Sequence, residues 1–508
     1  MIGYWTRKSA LQLPAKGILR HARRSVASGT NGKHADHKEI IKGPKPSAIL
    51  GPDGKPITVP DNSFVMNKRE RMEPLDATLS NTENLTRILK NMIKTTGPIS
   101  ISHFMKQCLI DPQYGYYTTR NPLDSKTGDF ITSPEISSTF GEMCSLWFFS
   151  AFIEQLKYQA ATNRDNFDIQ TKKFRIIEFG PGKGTLMFDM VRTIRKFVKD
   201  SNPIEIVFIE KSEVLIKEQH KTMCNEDEEL KMIDSFTFES VSKWGNKITW
   251  LKDDKPQLSG KEYMNFIMAH EFFDALPMNR FVKTEKGWRE YLVDIRPDAK
   301  KDSLLTGNVD TKTKKTDAEF VIVQAPYATP QTAIPKTSDR YESLPVGSEV
   351  EISAESHSYI YEFSSILKSS DIGAGLIIDY GTTTIPINSL RGIKDHKFVN
   401  PLGDVGEVDL SIDVDFGSLA EILKQNQFVT HVAEQGDFLN NMGLGYRMDQ
   451  LISSNEDKTE IKEKLIAAYK RLTGKGIRDM GKIYKVLGFY PSTYEKVTIA
   501  GFEKQDKK

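Results

Sequence analysis

A β-type run from Phe174 to Phe179 ends in Glu178-Phe179-Gly180-Pro181-Gly182-Lys183-Gly184 and passes at once into a helical pattern starting at Thr185. No other stretch constrains the fold as strongly. Three glycines at alternate positions permit positive φ and let the backbone approach a ligand closely, because no Cβ stands in the way. Beyond the turn, β-type and helical runs alternate, which is the signature of a parallel sheet covered by helices. The pattern predicts strands at Phe174 to Phe179, Ile204 to Ile209, Phe266 to Ala269 and Leu376 to Ile378, the last two fully apolar. It predicts helices at Thr185 to Lys199, with Phe197 and Val198 on the buried face, and at Ser212 to Cys224.

The turn excludes some ligands and favours others. A Walker A loop is excluded, because Gly184 rather than Ser or Thr follows Lys183 and the four-residue spacer is absent. A dinucleotide fits poorly, since the third glycine comes two residues after the second and the spacing is not G-x-G-x-x-G. Glu178 precedes the glycines, where it can hold a methionine ammonium, and Glu210 ends the second strand where ribose hydroxyls would lie. These details favour S-adenosylmethionine, with Gly180, Pro181, Gly182 and Gly184 as further cofactor contacts. A tight strand-to-helix turn without a ligand remains the bland alternative.

Upstream, helical patterning covers 85 to 96 and 99 to 110, and a long helix runs from Ser138 to about Tyr158. Between them Gly128-Asp129-Phe130-Ile131-Thr132-Ser133-Pro134-Glu135 reads as a lid over the cofactor, placing Asp129, Ser133 and Glu135 among its contacts, or as the start of the following helix. An insertion at about 285–368 does not fit a minimal α/β unit. Tyr291 to Ile295 and Phe320 to Gln324 alternate as antiparallel strands in it, and 354 to 368 is helical. With the N-terminal helices it is expected to form a second lobe, and 299 to 317 a loop. A charged amphipathic helix is expected at 458 to 472.

Ala269-His270-Glu271-Phe272-Phe273-Asp274-Ala275-Leu276-Pro277 follows a buried strand, at the carboxyl edge where open α/β sheets place their sites. Glu271 and Asp274, with His270 beside them, are the candidate catalytic residues. A guanidinium needs such carboxylates, since its planar fork pairs with them and a proton must leave as a methyl group arrives. Metal binding is the competitor, but His-Glu-x-x-Asp is not HExxH, and no metal is expected. A cap for a following helix is the structural alternative.

Charge is distributed unevenly over the 508 residues. Residues 1 to 35 hold Arg7, Lys8, Lys16, Arg20, Arg23, Arg24 and Lys33 and no acid, so within a net +2 the rest of the chain carries −5. Basic residues interleaved with Trp5, Leu11, Leu13, Ile18 and Leu19 suit a mitochondrial transit peptide. A basic tail that binds nucleic acid is the alternative, and the acidic body weighs against a nucleic-acid partner. Residues 36–84 read as linker. No run of eighteen or more apolar residues occurs, so no transmembrane segment is expected. Cys108, Cys144 and Cys224 share no ligand spacing and read as free thiols.

The chain resembles the MidA-type family, which includes a mitochondrial arginine methyltransferase that assists assembly of NADH dehydrogenase (complex I). The matching stretches are Tyr114-Gly115-Tyr116-Tyr117, Gly128 to Glu135, Glu178 to Gly184, His270 to Pro277, Ile378-Asp379-Tyr380-Gly381, Leu390-Arg391-Gly392 with His396-Lys397, Asp409-Leu410 through Phe416, and Ala500-Gly501-Phe502. The resemblance implies an α/β fold: a Rossmann-like seven-strand class I methyltransferase core at 166–503 with an additional N-terminal helical and insertion lobe, its N-terminal part at 85–165. It implies S-adenosyl-L-methionine as cofactor and symmetric dimethylation of an arginine on a complex I subunit in the mitochondrial matrix. It further implies that Glu271 and Asp274 face the substrate, and that Asp379, Tyr380, His396 and Asp413 to Asp415 line or support the pocket. Bacterial-looking members are expected to carry Asn in place of His270. A non-catalytic assembly chaperone on the same scaffold and a methyltransferase for another substrate stay open, as does a homodimer.

Overall fold

Side chains of the strand Lys173–Phe179 alternate between two apolar layers, and this alternation explains the architecture. Phe174 and Ile176 join a core built with the helices Ser138–Ala161 and Thr185–Ile194. Ile177 and Phe179 join a second core on the opposite face, built with the helices Ala354–Lys368 and Phe416–Gln425. Phe174, Ile176, Ile177 and Phe179 supply the apolar contacts on the two faces of this strand, and Arg175 and Glu178 are charged residues buried among them. The computed structural model describes residues 79–119, 132–162, 167–197, 204–253, 256, 258–297, 318–455 and 457–503. The expected transit peptide, most of the linker and the 299 to 317 loop lie outside the described residues.

Seven strands make the body of the main sheet: β1 (Lys173–Phe179), β2 (Ile204–Ile209), β3 (Lys247–Leu251), β4 (Tyr263–His270), β5 (Gly373–Thr382), β6 (Phe428–Glu434) and β7 (Tyr484–Pro491). Their order is β3-β2-β1-β4-β5-β7-β6, with short antiparallel strands Thr237–Val241 and Lys231–Met232 extending the β3 edge and Val414–Asp415 pairing with the end of β5. β7 runs antiparallel to both β5 and β6, and the remaining neighbours are parallel. From β1 the chain winds outward to β2 and β3, then returns to place β4 on the other side of β1, with Phe179 in register with Ala269. A crevice opens at the carboxyl ends of β1 and β4, where that reversal occurs. This is the expected seven-strand core.

The second lobe is a five-stranded antiparallel sheet of Ile99–Ser100, Gly287–Ile295, Asn279–Thr284, Glu349–Ile352 and Phe320–Gln324. The helices Asn81–Thr96 and Ile101–Ile110 pack on it through Leu85, Leu89, Phe104 and Met105. A separate three-stranded sheet (Arg391–Lys394, Lys397–Val399, Asp409–Ser411) adds Leu410 to the same core.

Three expectations need correction. Helix Ala354–Lys368 belongs to the main sheet rather than the lobe, because Tyr359, Ile360 and Phe363 pack on Ile177, Phe179 and Ile267. The helix after the glycine turn ends at Ile194, and Phe197 is 52% exposed, stacked on Phe149 instead of buried. The first helix starts at Asn81, ahead of Leu85, because Ser80 and Glu83 form a capping box: Glu83 N–H donates to Ser80 Oγ at 3.2 Å and Ser80 N–H to the Glu83 carboxylate at 2.8 Å.

Candidate active site

The crevice holds a cavity of about 350 Å³ lined from both lobes. Its floor is the glycine turn. Gly180, Gly182 and Gly184 have φ of 63°, 55° and 79°, the left-handed region in which a Cβ is strained, and a Cβ on Gly180 would also meet Phe272 Cδ2 at 2.8 Å. The turn is tied down by Gly180 N–H donating to Ile209 O at 3.1 Å and Gly184 N–H to Pro181 O at 2.8 Å.

Glu178 stands at the end of β1 on the face of Phe174 and Ile176. It is 2% exposed and its Oε2 has no hydrogen-bond partner, so burial pushes its carboxyl well above the usual carboxylate range. An orphaned buried carboxylate lining a cavity calls for a cationic ligand group. At the end of β2, Glu210 accepts from Ser212 N–H at 2.8 Å, and burial pushes it up to about 7. Gln219 couples these parts: its amide donates to Gly182 O at 2.8 Å and Glu210 Oε2 at 3.1 Å while accepting from Trp250 Nε1 at 3.0 Å. Lys183 pairs with Glu135 at 2.6 Å, fastening the turn to the segment Ser133–Ile136. The residues present therefore fit S-adenosylmethionine: a lone acid for an ammonium, a second acid for hydroxyls and an open backbone between them.

The opposite wall follows β4. His270 is buried, its ring lies edge-on to Phe140 at 5.2 Å, and burial drives it down to about 3. Its Nε2 lies 3.6 Å from Glu271 Oε1, an ion-pair distance, but a neutral imidazole forms no ion pair. Glu271 adopts φ 48°, and its Oε1 accepts from the Tyr484 hydroxyl at 3.0 Å. Burial first and the Asp274 charge second push Glu271 up to about 8. Asp274 is also raised by burial, opposed by Arg391 and by Ser411, whose Oγ donates to it at 2.9 Å. Asp379, fully buried on β5, accepts N–H donors from Phe272, Phe273 and Asp274 at 3.1, 2.8 and 3.3 Å and so shapes the loop that carries both acids. Asp409, which accepts from the Tyr117 hydroxyl at 2.8 Å, adds a further carboxylate to the cavity. Such a wall suits a planar cation with several N–H donors.

Glu178, Gly180, Pro181, Gly182, Glu210, Glu135, His270, Glu271 and Asp274 all line the cavity. Gly184 does not line it and instead caps the helix Thr185–Ile194. Ser133 does not line it either, because its fully buried Oγ turns to Gln435 at 3.4 Å. Asp129 lies outside the described residues. His396 is exposed at a hairpin tip with φ 60°, away from the cavity, while Asp413 and Asp415 are taken up by Arg391 and Arg340. Tyr380 lies under the Arg391 guanidinium, 4.2 Å from its ring centre. Gln219, Tyr484, Tyr117 and Asp409 had no role assigned from sequence. Among the described residues no group of three or more His, Cys, Asp or Glu is arranged to hold a metal ion, and no helix is long and apolar enough to cross a membrane.

Residues 155–433 match the family model described as "Putative S-adenosyl-L-methionine-dependent methyltransferase". Among curated proteins, the chain is similar to the Rattus norvegicus "Protein arginine methyltransferase NDUFAF7, mitochondrial", at 34% identity over 76% of this chain and 80% of the relative. The Homo sapiens protein of the same name is 32% identical over 80% of this chain and 83% of the relative. A crystal structure of a Burkholderia thailandensis protein bound to S-adenosyl-homocysteine shares the fold, with a TM-score of 0.56 at 19% identity over 82% of this chain and 96% of that one. With the family model spanning more than half of its length, this chain belongs to the S-adenosylmethionine-dependent methyltransferases of that family.

Proposed function

We propose that this chain transfers methyl groups from S-adenosylmethionine to an arginine of a protein, leaving it symmetrically dimethylated, and that the acceptor is a complex I subunit undergoing assembly in the mitochondrial matrix. The names of the rat and human relatives support arginine as acceptor and the mitochondrion as location. The observation that carries the reading is the two-walled cavity, a glycine turn with a lone buried acid facing a wall that holds the carboxyl groups of Glu271, Asp274 and Asp409.

In this reading Glu178 holds the methionine ammonium, Glu210 accepts from the ribose hydroxyls, and the backbone of Gly180, Pro181 and Gly182 lies along the ligand. Gly184 and Ser133 act indirectly, by capping the following helix and by anchoring the Glu135 segment. S-adenosylmethionine, when bound, supplies the electrophilic methyl group. Asp274 orients the guanidinium, steadied by Ser411 and Arg391. Glu271 takes the proton in its ionised form, which it reaches as pH passes about 8; an arginine of pKa above about 12 must lose a proton as the methyl arrives, and a carboxylate of raised pKa receives it more readily than an ordinary one. His270, neutral near pH 7 and with its buried Nε2 unpartnered, offers the ligand a hydrogen-bonding nitrogen and not an acid.

Calorimetric titration with S-adenosylmethionine tests the cofactor half of this reading. Saturable binding by the wild type, abolished in a Gly182→Val variant that still melts cooperatively, is expected, because a branched residue at φ 55° strains the turn. A well-folded wild type that takes up no S-adenosylmethionine would refute it.

A further inference from the structure

Tyr484 opens β7, the antiparallel strand, and reaches the cavity wall through Glu271. Its hydroxyl donates to Glu271 Oε1 at 3.0 Å. The ring is held in place: Tyr380, its register partner on β5, packs edge-on at 5.8 Å and 81°. The Arg391 guanidinium in turn covers the Tyr380 face at 4.2 Å. Glu271 is equally constrained, with a left-handed backbone and its N–H donating to Ile378 O at 3.0 Å. A non-glycine residue keeps such a backbone only where its surroundings over-determine it.

The groups facing Glu271 are mostly acids. Asp274 sits on its own loop, Asp379 on β5, Glu135 on the segment Ser133–Ile136 and Asp409 on the strand Asp409–Ser411, while neutral His270 ends β4. Tyr484, from β7, supplies a neutral donor against them. Asp274 is supported differently, by the Ser411 hydroxyl and the nearby charge of Arg391. Two acids three residues apart thus have unequal support, one a neutral phenol and the other a hydroxyl plus a cation.

We propose that Tyr484 is the positioning residue for Glu271: it fixes one carboxylate oxygen and thereby sets the pH at which Glu271, rather than Asp274, exchanges a proton with a bound guanidinium. In that exchange a guanidinium N–H bond breaks and an O–H bond forms on Glu271, a cation and an anion becoming a neutral pair. The inference rests on the guanidinium reading above. Burial raises Glu271 and the Tyr484 hydroxyl opposes the rise, so removing the donor moves the carboxyl further up.

The experiment measures ethylguanidinium affinity from pH 6 to 10 on the full chain loaded with S-adenosylhomocysteine. Wild-type affinity is expected to rise as pH passes about 8, where Glu271 loses its proton. In Tyr484→Phe the midpoint moves up by about one pH unit, cutting affinity near pH 8 by up to about tenfold and restoring it at the alkaline end. Glu271→Gln removes the pH dependence. An unchanged midpoint in Tyr484→Phe, or an equal loss at every pH as a merely structural role would give, overturns the proposal. So does a pH dependence that survives Glu271→Gln. Should Tyr484→Phe fail to fold, a fluorinated tyrosine at 484 must lower the midpoint through its stronger hydroxyl donor, and no change there overturns it equally. A wild type that takes up S-adenosylhomocysteine but no ethylguanidinium at any pH sinks the guanidinium reading itself, and this proposal with it.

Discussion

Replacing Glu178 by Gln separates stability from binding at the floor of the cavity. The acid is 2% exposed with an unpartnered Oε2, so in the unliganded fold it holds its proton well above the ordinary 4.5. Below that ordinary value both folded and unfolded states are protonated and stability is independent of this group. As pH rises past it the unfolded chain ionises while the fold keeps the proton, and stability falls by about 1.4 kcal/mol per pH unit until Glu178 itself ionises. Glutamine carries no such penalty. Stability of Glu178→Gln relative to wild type should therefore climb with that slope in urea titrations of the unliganded protein from pH 5 upward. Binding should move the other way: a buried ligand ammonium that loses its counter-charge costs about 2–4 kcal/mol, or ~30- to ~1,000-fold in S-adenosylmethionine affinity. Parallel stability curves for the two proteins, or an affinity within about threefold of wild type, would refute the assignment.

Gln219→Ala removes two donor contacts and leaves Trp250 Nε1 without its acceptor, so it should cost about 2–4 kcal/mol of stability and weaken S-adenosylmethionine binding, both measurable by melting with and without ligand. Asp379→Ala strands the N–H groups of Phe272, Phe273 and Asp274 and should cost about 3–5 kcal/mol. It should also suppress methyl transfer while S-adenosylmethionine affinity, measured by calorimetry, stays near wild type, because the glycine turn is untouched. His270→Asn should leave the pH profile of transfer unchanged between pH 5 and 9, since burial drives this imidazole down to about 3 and keeps it neutral across that range; a lost acid limb in the variant would contradict that.

The glycine turn was legible because glycine spacing reports backbone geometry directly, and all three residues have positive φ. Ile204–Ile209 was equally legible as a run apolar but for Glu205, set between Pro203 and the charged pair Glu210-Lys211. The helix Ala354–Lys368 was recognisable from its periodicity, but periodicity says only that one face is buried and not which sheet covers it. Strands such as Lys247–Leu251 and Phe428–Glu434 are short or half-polar and gave no clear signal. Gln219 left a trace: it occupies the buried row Leu215, Gln219, Met223 at four-residue spacing, where a polar residue must have partners. Asp409 opens one of the stretches that carry the family resemblance, though nothing there gave it a role, and Tyr484 left no trace, since it enters the site through a strand pairing more than a hundred residues from the loop it serves.

The account stands or falls on where the methyl group goes. Purified protein given S-adenosylmethionine with an isotopically labelled methyl group, and mitochondrial proteins as acceptors, should place the label in dimethylarginine of the symmetric type after acid hydrolysis, and Glu271→Gln should not. Label in another amino acid, in a small molecule or in RNA, or no transfer by a preparation that binds S-adenosylmethionine, would contradict it.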